Sequence, residues 1–238
     1  MAKVLIFDVN ETLLDLRALD PHFERVFGDA AVRHQWFQQF VQNFLVTVVL
    51  GTYIDFGTIG RGALDMVAER LGKTLTEEDR KRILSTIREL PPYPEVRESL
   101  ERLKAAGFRL GTLTNSTKQV AEAQMQNAGL IDLFEQVLSA DGVKRLKPAP
   151  EPYRMAAERF GVPVAEVRLV AAHAWDVAGA LRAGCKAAFV ARPGTVLDPI
   201  HERPDVVGRD LREVADKIIG NTMGSRGELS QLIPHPDP

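Results

Sequence analysis

The chain predicts a doubly wound α/β fold, a parallel sheet of the Rossmann-like kind, with an α-helical module inserted after the first strand. Three observations carry this. Short, β-branched apolar runs recur at Val4–Phe7, Leu110–Leu113, Val137–Leu138, Leu169–Ala172 and Ala187–Ala191, with a weaker one at Val206–Val207. Runs of this length without polar alternation read as strands buried on both faces of a parallel sheet. Helical stretches separate the last five, and four of them stop at a glycine: Gly107, Gly129, Gly161 and Gly184. Glycine past a helix end fits a left-handed C-terminal cap in a tight αβ turn. Between Asp15 and Pro92 no strand run occurs.

In chain order, the first strand leads directly into the insert. His34–Leu50 pairs apolar residues every four positions (Trp36/Phe37, Phe40/Val41, Phe44/Leu45, Val48/Val49), which is one wide apolar helix face. Gly62–Leu71 and Glu77–Leu90 predict two further helices, the second capped by Thr76. Gly57–Gly62 lacks dinucleotide-fingerprint spacing and a preceding strand, so it reads as a loop. Pro91-Pro92-Tyr93-Pro94 is a stiff, extended boundary. Helices then follow at Pro94–Ala105, Thr117–Ala128, Pro152–Phe160 and Trp175–Ala183. The expected division is a core of 1–14 and 93–220, an insert of 15–92, and a loose tail of 221–238 ending Pro-His-Pro-Asp-Pro.

Composition narrows the functional classes. The 238 residues suffice for one large core with an insertion, and 45% hydrophobic with 26% charged residues is ordinary globular usage. Thirty Lys+Arg against 32 Asp+Glu give a net charge of −2, which argues against a nucleic-acid partner and against a polybasic membrane surface. The single cysteine, Cys185, excludes a disulfide framework and a cysteine-rich zinc site. The apolar run after Met-Ala-Lys is too short for a secretion signal, and no run approaches the roughly 18 apolar residues of a membrane span. A cytoplasmic protein is expected.

Ligands of open α/β sheets sit at the carboxyl ends of the strands. Strand one ends in Asp8-Val9-Asn10-Glu11-Thr12, and strand two in Thr114-Asn115-Ser116. Lys144-Arg145-Leu146-Lys147-Pro148 follows strand three, and His173-Ala174-Trp175-Asp176 follows strand four. Each residue has a plainer reading. Thr12 and Asn115 suit turns, Ser116/Thr117 an N-cap, Lys147 solvated surface, Tyr153 a helix face, and Trp36 and Phe37 the core or the insert's interface. Four polar clusters at consecutive strand ends outweigh those readings taken singly.

Asp8, Thr12, Thr114, Lys147 and Asp176 match, in order, the four signatures of the haloacid dehalogenase-like superfamily, which the chain resembles from Lys3 to about Ile219. The helical insert resembles that family's small cap. Lys147-Pro148…Tyr153, Trp175-Asp176 and Tyr53-x-Asp55-Phe56 are similar, more narrowly, to the type II (S)-2-haloacid dehalogenases. Superfamily phosphatases place a second Asp two residues after the nucleophile and bind Mg²⁺ through acids after strand four. This chain has Asn10 and Ala172 at the corresponding places. An amide exchanges no proton at useful pH, and Mg²⁺ demands hard oxygen ligands. Halide departure needs neither group.

The resemblance therefore implies cofactor-free and metal-free covalent catalysis on a small halogenated carboxylic acid, with halide as co-product. Asp8 is the implied nucleophile, Lys147 its orienting cation, Thr12 its hydroxyl partner, and Asp176 the residue that activates water. Val9, Asn10, Phe37, Thr114, Asn115, Tyr153, His173 and Trp175 are the implied substrate contacts, and a homodimer is implied. A Mg²⁺-dependent phosphatase or phosphonate-type hydrolase is the alternative, and a non-catalytic member binding a small acid or a partner protein is a second. The chain departs from the dehalogenase pattern where Phe37 replaces an Arg, His173 an Asn, Ala171 a Ser, and Asn10-Glu11 a Tyr-Gly. Phe37 cannot supply the Arg's hydrogen bonds. His173 is expected to compensate by donating to halide or carboxylate, or to aid Asp176, or else to brace the first loop.

Overall fold

The computed structural model describes residues 3–230. Six strands, β1 (Val4–Phe7), β2 (Arg109–Thr114), β3 (Gln136–Ser139), β4 (Val167–Ala171), β5 (Lys186–Val190) and β6 (Val206–Gly208), form one sheet in the order 3-2-1-4-5-6. Every pairing is parallel. Successive β1 side chains point to opposite faces, and all four residues are fully buried. Leu5 and Phe7 join a core with α5 (Val96–Ala105), α6 (Lys118–Asn127) and α9 (Leu211–Ser230). Val4 and Ile6 join a second core with α7 (Pro150–Phe160) and α8 (Ala174–Ala183). The strand order reverses direction between β1 and β4, which opens a crevice at their carboxyl ends.

Between β1 and α5 the chain is helical: α1 (Asp20–Phe27), α2 (Val32–Val49), α3 (Phe56–Arg70) and α4 (Glu77–Thr86), followed by a 3₁₀ turn at Ile87–Glu89. The two chain crossings into this cap pair with each other, as Tyr93 N donates to Leu13 O at 3.0 Å and Asp15 N to Pro91 O at 2.8 Å. Thr76 caps α4 in a reciprocal capping box with Asp79.

Three sequence expectations are corrected. Gly57–Gly62 is not a loop but the first turns of α3, with Asp55 as its N-cap. Its glycines serve packing: a Cβ on Gly60 would lie 2.9 Å from the Phe40 ring, and Gly60 O accepts from Trp36 Nε1 at 2.9 Å. That interhelical contact overrides the low helix propensity of glycine. Helix α1, which the apolar pattern did not reveal, packs Phe23 against Trp36 with ring centroids 5.5 Å apart. Lastly, α9 runs unbroken through Gly220 to Ser230, so the loose tail expected from 221 is helical over its first part, and 231–238 lie outside the described residues.

Candidate active site

Asp8 follows β1 at the crevice and is 5% exposed. Its backbone N donates to Val170 O at 3.0 Å, which ties the strand end to β4. Oδ1 accepts from Lys147 Nζ at 3.0 Å, and Oδ2 accepts from Thr12 Oγ1 at 2.8 Å. The Thr12 hydroxyl is oriented in turn by the Ala172 N–H at 2.9 Å. Lys147 is fully buried; its ammonium also donates to Leu113 O at 2.7 Å and to Asp176 Oδ2 at 2.5 Å. Tyr153 OH completes the network by donating to Asp176 Oδ1 at 2.5 Å.

Helix α8 reaches this position through Gly179. A Cβ there would lie 2.5 Å from Pro148 Cβ and 2.7 Å from Tyr153 OH, so only glycine lets α8 close on the Lys147-Pro148 turn. Asn115 acts on the same turn from β2: its Oδ1 accepts from Lys147 N at 2.8 Å, and its Nδ2 donates to Lys147 O at 3.2 Å.

The charges are strongly coupled. Burial favours protonation of Asp8, but the Lys147 ammonium and the His173 ring outweigh it and hold the carboxyl well below its ordinary range. Burial opposes the Lys147 charge, yet Asp176 and Asp8 raise its pKa above the ordinary lysine value. For Asp176 burial dominates and the pKa goes up, despite Lys147. Two carboxylates sharing one ammonium thus differ in basicity, which is the arrangement expected of a nucleophile beside a proton acceptor.

His173 lies on the other side of Asp8. Its Nδ1 is 3.2 Å from Asp8 Oδ2, and its Nε2 is 3.0 Å from Glu11 Oε2. Burial works against its charge, but these carboxylates push its pKa up to about 10. Trp175 stacks on the imidazole at 5.2 Å, and the half-buried Phe37 of α2 packs against it at 5.6 Å. Trp175 also meets Phe44 of the cap at 5.0 Å. Val9 is fully buried in the core, where its carbonyl accepts from Leu13 and Leu14 N. Asn10 Oδ1 accepts from Gln124 Nε2 at 2.8 Å. The Thr114 hydroxyl accepts from Ser116 N at 3.2 Å, and neither Ser116 nor Thr117 caps α6 through its side chain.

Sequence reasoning assigned no part to four residues that build this site. Glu11 and the buried Arg33 of α2 face each other at 3.9 Å, and Arg33 also bonds Asp20. Arg192, after β5, donates to Thr12 O at 2.8 Å and stacks on Tyr93 at 3.7 Å, fixing the first loop. Gln124 joins Asn10 to Ile87 O at the foot of the cap. No local pattern marks these residues; an arginine one helical turn before Phe37 is the one available hint.

A doubly wound sheet with a helical cap carries a buried Asp–Lys–Asp cluster at its switch point. The model of the haloacid dehalogenase-like hydrolases matches residues 2–184, and the chain belongs to that family. It is 28% identical to an (S)-2-haloacid dehalogenase of Pseudomonas putida over 91% of this chain and 96% of that one. It is 32% identical to (S)-2-haloacid dehalogenase 4A of Burkholderia cepacia over 81% of this chain and 84% of the relative. The L-2-haloacid dehalogenase from Xanthobacter autotrophicus with chloropropionic acid covalently bound superposes with a TM-score of 0.86 at 27% identity, covering 92% of this chain and 99% of that one.

Proposed function

We propose that the protein hydrolyses (S)-2-haloacids to (R)-2-hydroxyacids through an aspartyl ester on Asp8. The observation that carries this reading is the Asp8 carboxylate 3.0 Å from Lys147 Nζ, whose ammonium also holds Asp176 at 2.5 Å. A carboxylate oxygen of Asp8 attacks the substrate Cα, and the carbon–halogen bond breaks as halide leaves with the electron pair. Water activated by Asp176 then attacks the ester carbonyl carbon. Inversion occurs once, in the first step. In this reading Phe37, Trp175 and His173 wall the substrate site, and the Thr114–Ser116 turn lies at the carboxyl end of β2.

The residues present do not fit the Mg²⁺ site of the alternative. Asn10 and Ala172 offer no carboxylate, and the Lys147 ammonium already spans Asp8 and Asp176. Core 1–14 with 93–220, cap 15–92, a cytoplasmic location and a homodimer complete the reading. The exposed apolar cluster of Val46, Val49, Leu50 and Ile54 supports the dimer. Among the described residues, no helix is long and apolar enough to cross a membrane.

The decisive experiment is single turnover of (S)-2-chloropropionate in ¹⁸O-water. Label entering Asp8 before product is the expected result, and Asp8→Asn should lose about 10⁴-fold or more in halide release. Label passing straight into product would exclude the covalent route.

A further inference from the structure

Glu11 has no part in the chemistry above, yet its carboxylate lies 3.0 Å from the ring that touches Asp8. Among the described residues it is one of two non-glycine residues in the left-handed region, at φ 60°, and its N–H is held by Leu14 O at 2.8 Å. An ionised carboxylate only accepts hydrogen bonds. His173 has such a group at each ring nitrogen, Asp8 at Nδ1 and Glu11 at Nε2. Both contacts are satisfied together only by the imidazolium, which donates from both nitrogens. The surroundings favour that form: Arg33 of α2 stands behind Glu11, Lys147 and Asp176 lie across Asp8, and Trp175 and Phe37 pack on the ring.

The two oxygens of Asp8 are not equivalent. Oδ1 meets Lys147, whereas Oδ2 meets both Thr12 and His173. The oxygen with fewer donors keeps a lone pair for attack, and the other is prepared to carry negative charge. We propose that the His173 imidazolium, with Thr12, forms the oxyanion site for hydrolysis of the aspartyl ester, and that Glu11 is the positioning residue that aims the ring and keeps it protonated. The inference rests on the covalent dehalogenase reading.

Attack through Oδ1 leaves the ester as Cγ(=Oδ2)–Oδ1–Cα. Water adds to Cγ, one of its protons passes to Asp176, and the C=O π pair moves onto Oδ2 against His173 and Thr12. Collapse restores the C=Oδ2 bond and breaks Cγ–Oδ1. The departing alkoxide takes the proton from Asp176 as the hydroxyl of the 2-hydroxyacid, and the renewed Asp8 carboxyl releases its own proton to solvent. His173 neither gains nor loses a proton.

The test combines quench-flow turnover of (S)-2-chloropropionate with an NMR titration of the His173 ring in the free enzyme. His173→Gln should give a halide burst equal to the enzyme concentration, followed by ester hydrolysis slowed about 10²-fold, with the ester trapped on the Asp8 peptide. Glu11→Gln should slow ester hydrolysis about tenfold, lower the His173 titration from about 10, move the alkaline limb of kcat down with it, and add nothing in the His173→Gln background. Glu11→Asp, which keeps the charge, should preserve the high titration.

Three results would each overturn the proposal: an unmoved His173 titration in Glu11→Gln, additive losses in the double variant, or slowing of halide release in place of ester hydrolysis. If no haloacid releases halide, the dehalogenase reading fails, while the titration still decides whether Glu11 holds the ring.

Discussion

On the sheet side of the site, Asp8, Thr12, Lys147, Tyr153 and Asp176 are joined by hydrogen bonds of 2.5–3.0 Å between groups that are almost wholly buried. On the cap side, Phe37, Phe40, Phe44 and Phe56 meet one another and Trp175 through ring contacts, from 4.2 Å for Phe40–Phe56 to 6.5 Å for Phe40–Phe44. The first wall is directional: each donor has a fixed acceptor, and a missing partner leaves a buried charge exposed to low dielectric. The second depends on shape and area, so its members can be exchanged at modest cost. On the proposed reading, chemistry is fixed on the sheet and substrate choice is adjustable on the cap. One ionic thread joins the two walls, running from Arg33 through Glu11 to His173.

The sharpest break in this contrast is Lys147→Met. It removes the cation between two buried carboxylates, so stability should fall by about 3–5 kcal/mol, read by urea unfolding, and halide release should vanish. A comparable loss from any single cap phenylalanine changed to leucine would erase the distinction.

Next in size is the pH dependence of stability. His173 has a folded pKa of about 10 against an ordinary 6.5, so it binds its proton more tightly when folded. Its contribution is full below about 6.5 and is lost as pH rises through about 10. Asp8 is depressed, so its contribution is present above the ordinary carboxylate range and is lost as pH falls below it. Unfolding curves from pH 6.5 to 9 should slope downward in the native protein and flatten over that window in His173→Gln.

On the cap, Phe37→Arg should raise kcat/KM for (S)-2-chloropropionate about tenfold, roughly 1.4 kcal/mol, because the guanidinium can donate to the substrate carboxylate. No change would mean that Phe37 does not face substrate. The smallest effect is expected at the clasp where Tyr53 of the cap donates to Asp141, which also pairs with Lys144. Tyr53→Phe should cost about 0.5–1.5 kcal/mol in thermal unfolding and leave kcat within about twofold.

What local chemistry can encode is readable in the sequence. Buried strands show as apolar runs, helix ends as glycines, and Gly107, Gly129, Gly161 and Gly184 all adopt the positive φ those stops require. Asp8, Thr12, Lys147 and Asp176 were legible because each follows a recognisable strand. What depends on contacts distant in sequence emerges from the packed chain alone. The Gly57–Gly62 segment is helical because Phe40 and Trp36 pack against Gly60. Glu11 meets His173 across 162 residues, Gln124 meets Asn10 across 114, and Arg192 meets Thr12 across 180. No periodicity links positions so far apart; the 3-2-1-4-5-6 strand order places β1 between β2 and β4, and that adjacency gives Glu11 and His173 a common edge.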